Sequence, residues 1–257
     1  MLANYHTHTF RCRHAVGTER EYIENGIISG MTELGFAEHI PYVFPDGHES
    51  GHRMYIKDLD NYFETLASLR EEYSDRIKLY IGFETEYYPL YFDKTMELIC
   101  KYPVDYLIMG QHFIDNEESP YLGNYRTSDR DFLKRYVEQA SEGLRTGKFS
   151  CFAHPDLMDF TGDEDYYTEQ MTELCTVAKE CDVPLELNAM GYVTPSRCYP
   201  SKRFFRIAEK VGNDVVIGCD AHQPDAMLTE TYESGCREFL ADCGITPVDY
   251  IKLKPVK

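Results

Sequence analysis

Three of the nine histidines fall within nine residues near the start of the chain, as His6-Thr7-His8 and then His14. In a strand, residues i and i+2 share a face, so His6 and His8 aim their imidazoles at one point. Neutral imidazole is the commonest protein metal ligand. Further along, His39, Glu84, His112, His154, Asp220 and His222 each stand at or just past the end of a short apolar run, and only His48 and His52 fall outside the set. Taken singly, each has an ordinary explanation. A histidine at a strand end is more often a hydrogen-bonded structural group, Glu84 has Glu86 as a competitor on the same face, and Asp220 suits a helix N-cap. Their coincidence at the ends of successive strands is what points to a site. Seven histidines and two carboxylates exceed the roughly four to six ligands that one ion uses. Two or three ions sharing a bridging carboxylate fit better. Such a cluster polarises an ester, makes hydroxide near neutral pH and clamps both oxygens of an in-line displacement. Phosphate ester hydrolysis is the natural reaction.

The elements that must position these groups alternate. Strands are expected at the start, at Phe36–His39, Ile77–Glu84, Val104–His112, Phe149–His154, Pro184–Asn188, Asp214–His222 and, last, Tyr250–Leu253. Helices are expected from the capping box Thr18/Glu21 to Leu34, with Gly35 as the stop. Further helices run from Lys57 to Ser74, from Leu90 to Lys101, from an N-cap at Ser128 to Thr146, from Asp165 to Glu180, from Ser201 to Val211 and through much of 224–243. Irregular loops are expected from Pro41 to Tyr55, from Ile114 to Arg126, and from Asn188 through Arg197. About seven β-α units in strict alternation imply a parallel sheet wrapped by helices. In one domain spanning residues 1–257, that sheet closes best as an α/β barrel whose strand C-termini build the site.

The formal net charge of −18 repels nucleic acid and anionic membrane, and no basic run or apolar membrane span interrupts the sequence. No secretory signal pattern opens it. The nine cysteines form no C-x-x-C pair and read as free thiols in a reducing cytoplasm. The sequence assigns no oligomeric state.

The motifs His6-Thr7-His8, His14, Glu38-His39, Gly82-Phe83-Glu84, Gly110-Gln111-His112-Phe113, Ala153-His154-Pro155-Asp156 and Cys219-Asp220-Ala221-His222 span nearly the whole chain. In them the sequence resembles the polymerase-and-histidinol-phosphatase (PHP) superfamily, most nearly its monofunctional histidinol-phosphatase branch. The resemblance implies a distorted (β/α)7 barrel, a trinuclear centre of zinc, iron or manganese, and hydrolysis of L-histidinol phosphate in histidine biosynthesis. It implies that His6, His8, Glu84 and Asp220 hold one ion. Glu84 would bridge to a second ion held by His112 and His154, and His14, His39 and His222 would hold a third. Where branch members often carry a small residue pair before the ligand histidine, this chain has Gly110-Gln111, which bears on substrate contacts at Gln111.

Phosphate also needs a fixed cation, and arginine suits its bidentate geometry. Arg197 is the first choice and Arg126 the second. Hydroxide activated by the metals would attack phosphorus, with Arg197 neutralising the equatorial oxygens. Asp156, or His222 through water, would protonate the leaving alkoxide. Asp156 and Glu49 are candidates for an acidic wall facing a cationic amine. His48, His52 and Arg53 lie in the loop that would border the pocket, with at least one of them facing water. Another small phosphate ester or a nucleotide is the alternative substrate. A metal-dependent amidohydrolase leaves His14, His39 and His222 without a role, and a non-catalytic metal-binding protein is the remaining reading.

Overall fold

The computed structural model describes residues 1–44 and 47–257, so Pro45 and Asp46 of the first irregular loop lie outside the described residues. In chain order the strands are β1 (Ala3–Asn4), β2 (Glu33–His39), β3 (Lys78–Thr85), β4 (Tyr106–Met109), β5 (Arg126–Thr127), β6 (Phe149–Phe152), β7 (Asp159–Phe160), β8 (Leu185–Asn188) and β9 (Val215–Gly218). Seven of them form one parallel sheet in the order β1-β2-β3-β4-β6-β8-β9. Just past β1 and β9, the His8 amide donates to Ala221 O at 2.9 Å and Thr7 bridges Ala221 in parallel, which nearly closes the sheet into the expected barrel. Register places His39 beside Glu84, and Glu84 beside Ile108. Site residues from neighbouring strands therefore meet at one end.

The helices are α1 (Glu19–Ile28), α2 (Leu59–Glu72), α3 (Phe92–Ile99), α4 (Arg130–Arg145), α5 (Glu164–Glu180), α6 (Ala189–Val193), α7 (Lys202–Val211) and α8 (Glu233–Ala241). They bury apolar faces against the outside of the sheet, with Tyr22, Tyr62, Leu133, Tyr136, Leu174 and Phe205 fully covered. The Thr18/Glu21 capping box forms as expected. At the barrel's other end, Tyr106 fills the interior and its hydroxyl donates to Tyr5 O at 2.8 Å and Phe36 O at 3.1 Å. No helix among the described residues is long and apolar enough to cross a membrane.

Several boundaries differ from expectation. Helix α1 stops at Ile28 rather than Leu34, because Gly30 turns left-handed (φ 77°) and the Thr32 amide is captured by Leu2 O at 2.8 Å. Glu33–Gly35 thereby join the sheet. The cap of α4 is Asp129, not Ser128, since its carboxylate accepts from the Asp131 and Phe132 amides. The loop between β4 and α4 ends in β5, which pairs with β7 beside the main sheet. The loop after β8 contains α6, capped by Asn188. Tyr250–Leu253 is not a strand: before it, Val248 N donates to Val215 O (2.8 Å), and Ile251 and Leu253 then lie against the cluster around Tyr106. The strands also end earlier than predicted. His112, His154 and Asp220 sit in the turns beyond β4, β6 and β9, and the last two adopt positive φ (32° and 50°). For a non-glycine residue that is a sparsely populated conformation, of the kind retained where the surrounding site over-determines it.

Candidate metal centre

The segments just past β1 and β9 and the C-terminal end of β3 bring His6, His8, Glu84 and Asp220 together inside the barrel mouth, all essentially buried. His6 Nε2 lies 3.1 Å from His8 Nε2, 3.4 Å from Glu84 Oε2 and 3.3 Å from Asp220 Oδ1. His8 Nε2 is 3.3 Å from the same Glu84 oxygen and 3.4 Å from the same Asp220 oxygen. An ion with bonds of about 2.0–2.1 Å in tetrahedral geometry spaces its ligand atoms roughly 3.3–3.4 Å apart. Five edges of such a tetrahedron are therefore preformed.

Proton placement points the same way. His6 Nδ1 is 2.8 Å from Glu186 Oε1, an acceptor, so Nδ1 carries the hydrogen and a neutral His6 turns its Nε2 lone pair inward. His112 is held the same way by Glu86 Oε1 at 2.9 Å, and its Nε2 faces Glu84 Oε1 at 3.4 Å. His154 Nε2 approaches that same oxygen at 2.9 Å. Glu84 thus presents Oε2 to one cluster and Oε1 to a second, while His39 Nδ1 also reaches Oε2 at 3.1 Å.

Nearer the surface, His14 Nδ1 donates to Cys12 O at 2.9 Å and His222 Nδ1 donates to Asp220 O at 3.0 Å, since a carbonyl can only accept. Their Nε2 lone pairs then face each other at 3.0 Å. Two acceptors at that distance repel unless a cation lies between them. The ligand atoms of His14, His39 and His222 all come within 4.8 Å of one another. The residues present fit bound metal.

Electrostatics separate the two depths. For His6 and His8, burial opposes protonation. The carboxylates outweigh it, holding His6 well above its ordinary value through Glu186, Asp220 and Glu84, and His8 at about 9 through Asp220 and Glu84. Burial likewise opposes ionisation of Glu84 and Asp220, yet the surrounding imidazoles keep both well below the usual carboxylate range. The inner pocket is built for positive charge. In the outer group burial prevails: His14 and His39 are lowered, and His222 falls to about 4. All three present neutral donors near pH 7.

Two glycines make the packing possible. A Cβ on Gly110 would stand 1.9 Å from Glu84 Oε1, and one on Gly218 would stand 1.8 Å from Glu186 Oε1.

The clusters open into a cavity of about 530 Å³ lined by His14, His39, His52, Glu84, His112, His154, Asp220 and His222, with Phe113, Tyr121, Met190, Arg197 and Tyr199 as its remaining wall. That volume suits a small molecule. Arg197 faces this cavity as expected, 5.7 Å from the Tyr199 ring, and forms no ion pair with a carboxylate among the described residues. Other predicted contacts are not brought here. Arg126 is 77% exposed and pairs with Asp159, because β5 and β7 carry both to the rim. Gln111 is buried and spent on backbone, accepting from Tyr87 N and donating to Phe113 O. Asp156 lies in a separate cavity with Arg203 and Tyr167, its carboxylate accepting from Ser201 N at 2.6 Å, and burial raises it to about 7. Glu49 is exposed on a third cavity with His48. His52 does border the site and stacks on Phe113. Arg53 is buried between Glu86 and Glu117, and so braces His112 from behind.

Sequence reasoning missed Glu186 and Asn188, and treated Glu86 only as a competitor of Glu84. Glu186 orients His6, accepts from the His154 amide and from Asn188 Nδ2, and Asn188 also donates to Asp220 Oδ2 at 3.0 Å. The available signal was a carboxylate between two leucines in a strand covered on both faces, where a charge needs partners.

The chain matches known proteins along most of its length. The family model described as "PHP domain" matches residues 4–190. A Deinococcus radiodurans protein named "Probable histidinol-phosphatase" is 28% identical over 230 residues, covering 87% of each chain. The histidinol-phosphatase of Lactococcus lactis is 27% identical over 85% of this chain and 83% of its own. The solved structure of the Lactococcus lactis histidinol phosphate phosphatase, complexed with zinc, L-histidinol and phosphate, superposes with a TM-score of 0.72 at 19% identity, covering 96% of this chain and 95% of that one. That likeness carries the fold.

Proposed function

From the premise that this chain belongs to the PHP domain family, we propose that it is a metal-dependent phosphoesterase, a histidinol-phosphatase that hydrolyses L-histidinol phosphate to L-histidinol and phosphate. Three divalent ions of the zinc, iron or manganese class would be held by His6, His8, Glu84 and Asp220, by Glu84, His112 and His154, and by His14, His39 and His222. The observation that carries this reading is the pair of facing Nε2 lone pairs at 3.0 Å on His14 and His222, set above an inner pocket already spaced for a cation. Such ions, when bound, polarise the phosphoryl oxygens and supply hydroxide near neutral pH.

The chain's own residues do the rest. Glu84 and Asp220 stay ionised and fix the charge of the pocket floor. Arg197 has the forked donors that bind phosphoryl oxygens in pairs and forms no ion pair with a carboxylate among the described residues. Phe113, Tyr121 and Tyr199 wall the side where a leaving group would sit. Aromatic faces there attract a cationic amine, whereas Asp156 and Glu49 line other cavities. Burial raises the Tyr121 hydroxyl, which stays protonated beside Arg197 and can donate to the departing oxygen.

The test is phosphate release from L-histidinol phosphate with added Mn²⁺, Zn²⁺ or Fe²⁺, beside p-nitrophenyl phosphate and a nucleotide monophosphate. Selective release from histidinol phosphate is expected. Release from the generic esters alone removes the named substrate and keeps the chemistry, and release from none removes both.

A further inference from the structure

One metal-ligating group at the mouth has no part in that reading: the thiol of Cys12. It closes a single 3-10 turn, Phe10–Cys12, and Arg13 then takes a left-handed φ of 72°. This reversal folds His14 back over the sulfur, so that Cys12 Sγ lies 4.0 Å from His14 Nε2. A tetrahedral zinc ion with bonds of about 2.3 Å to sulfur and 2.0–2.1 Å to nitrogen spaces the two atoms roughly 3.6 Å apart, so a shift of a few tenths of an ångström brings this pair to ligand spacing. Cys12 also forms a trio with His8 and His222 whose ligand atoms lie within 4.8 Å of one another. The residue is fully buried.

A second, independent feature marks this neighbourhood as more than packing. His8 is also fully buried, offers Nε2 to the inner cluster, and leaves Nδ1 with no hydrogen-bond partner among the described residues. The neighbourhood therefore holds more donor atoms than the three-histidine outer group uses.

We propose that Cys12 is a ligand of the outer group, which makes it a mixed imidazole–thiolate site selective for a thiophilic divalent cation such as zinc over manganese. The inference rests on the reading of this mouth as a metal centre. As the sulfur–metal bond forms, the thiol proton leaves to solvent. A soft thiolate favours zinc, cobalt or iron, while manganese prefers oxygen ligands.

Titration of the metal-free chain with Co²⁺ decides the matter. Visible d–d bands report cobalt held in the site, and a near-ultraviolet sulfur-to-cobalt charge-transfer band reports thiolate ligation. Both are expected in the unaltered chain. Cys12→Ser is expected to lose the charge-transfer band and keep the visible ones, and Cys100→Ser to keep both. Visible bands without charge transfer in the unaltered chain overturn the role of Cys12 and leave the metal centre standing. A charge-transfer band that survives Cys12→Ser overturns it equally. Absence of all bands removes the metal centre and Cys12 together. The spectrum of the unaltered chain tests thiolate ligation even where a variant fails to fold.

Discussion

The inner and outer groups of this mouth use the same side chain in two settings. Inside, His6 and His8 are sealed from solvent and share two carboxylates, so the local field demands a cation. Outside, His14 is exposed and His222 partly so, the donors are neutral imidazoles, and the positions of their protons are set by backbone carbonyls rather than carboxylates. Depth supplies charge and affinity, and the rim supplies accessible neutral donors. An ion in the outer group is therefore expected to leave first when a chelator is added.

Glu84→Ala removes the one carboxylate that faces both inner clusters. It is expected to reduce phosphatase activity to background and to lower metal content by more than one ion, with circular dichroism unchanged. Full activity in a folded variant would sink the site assignment. Gly110→Ala keeps every ligand but drives a methyl group into Glu84 Oε1. Overpacking of this kind costs about 1–3 kcal/mol, so a lowered melting temperature together with reduced inner occupancy is expected. An unchanged melting temperature contradicts the packing argument. Glu186→Gln sharpens the contrast, since it weakens the anchor of His6 without touching His14 or His222. Loss of such an orienting partner weakens metal affinity by roughly 10–100-fold. The change should appear in inner-site binding isotherms alone. His14→Ala is the mildest for the inner pocket: the most easily chelated ion should vanish while the others stay. Loss of every ion at once would show that the two groups are one cooperative unit and dissolve the comparison.

Much of this site was legible because its candidate ligands recur at the ends of apolar runs, and the strand period of two puts His6 and His8 on one face. The alternation of runs likewise implied the parallel barrel. The residues that were not legible act through other residues. Glu186 looks like a strand residue with the wrong polarity until His6, 180 positions earlier in the sequence, is seen 2.8 Å away. Glu86 reads as a rival of Glu84 until Arg53 and His112 are seen to claim it. Arg126 and Arg197 are alike as loop arginines, and only the β5–β7 pairing turns the first away from the cavity.

The order of elements and the identity of nearly every donor atom at the mouth follow from local pattern, since strand period, caps and apolar runs are properties of near neighbours. Which donors share a cluster, which nitrogen of each imidazole bears its proton, and which arginine faces the cavity were decided by tertiary structure. Those outcomes depend on distances of about 3 Å between residues far apart in sequence, which form only once the sheet has curled toward closure and excluded water from its mouth.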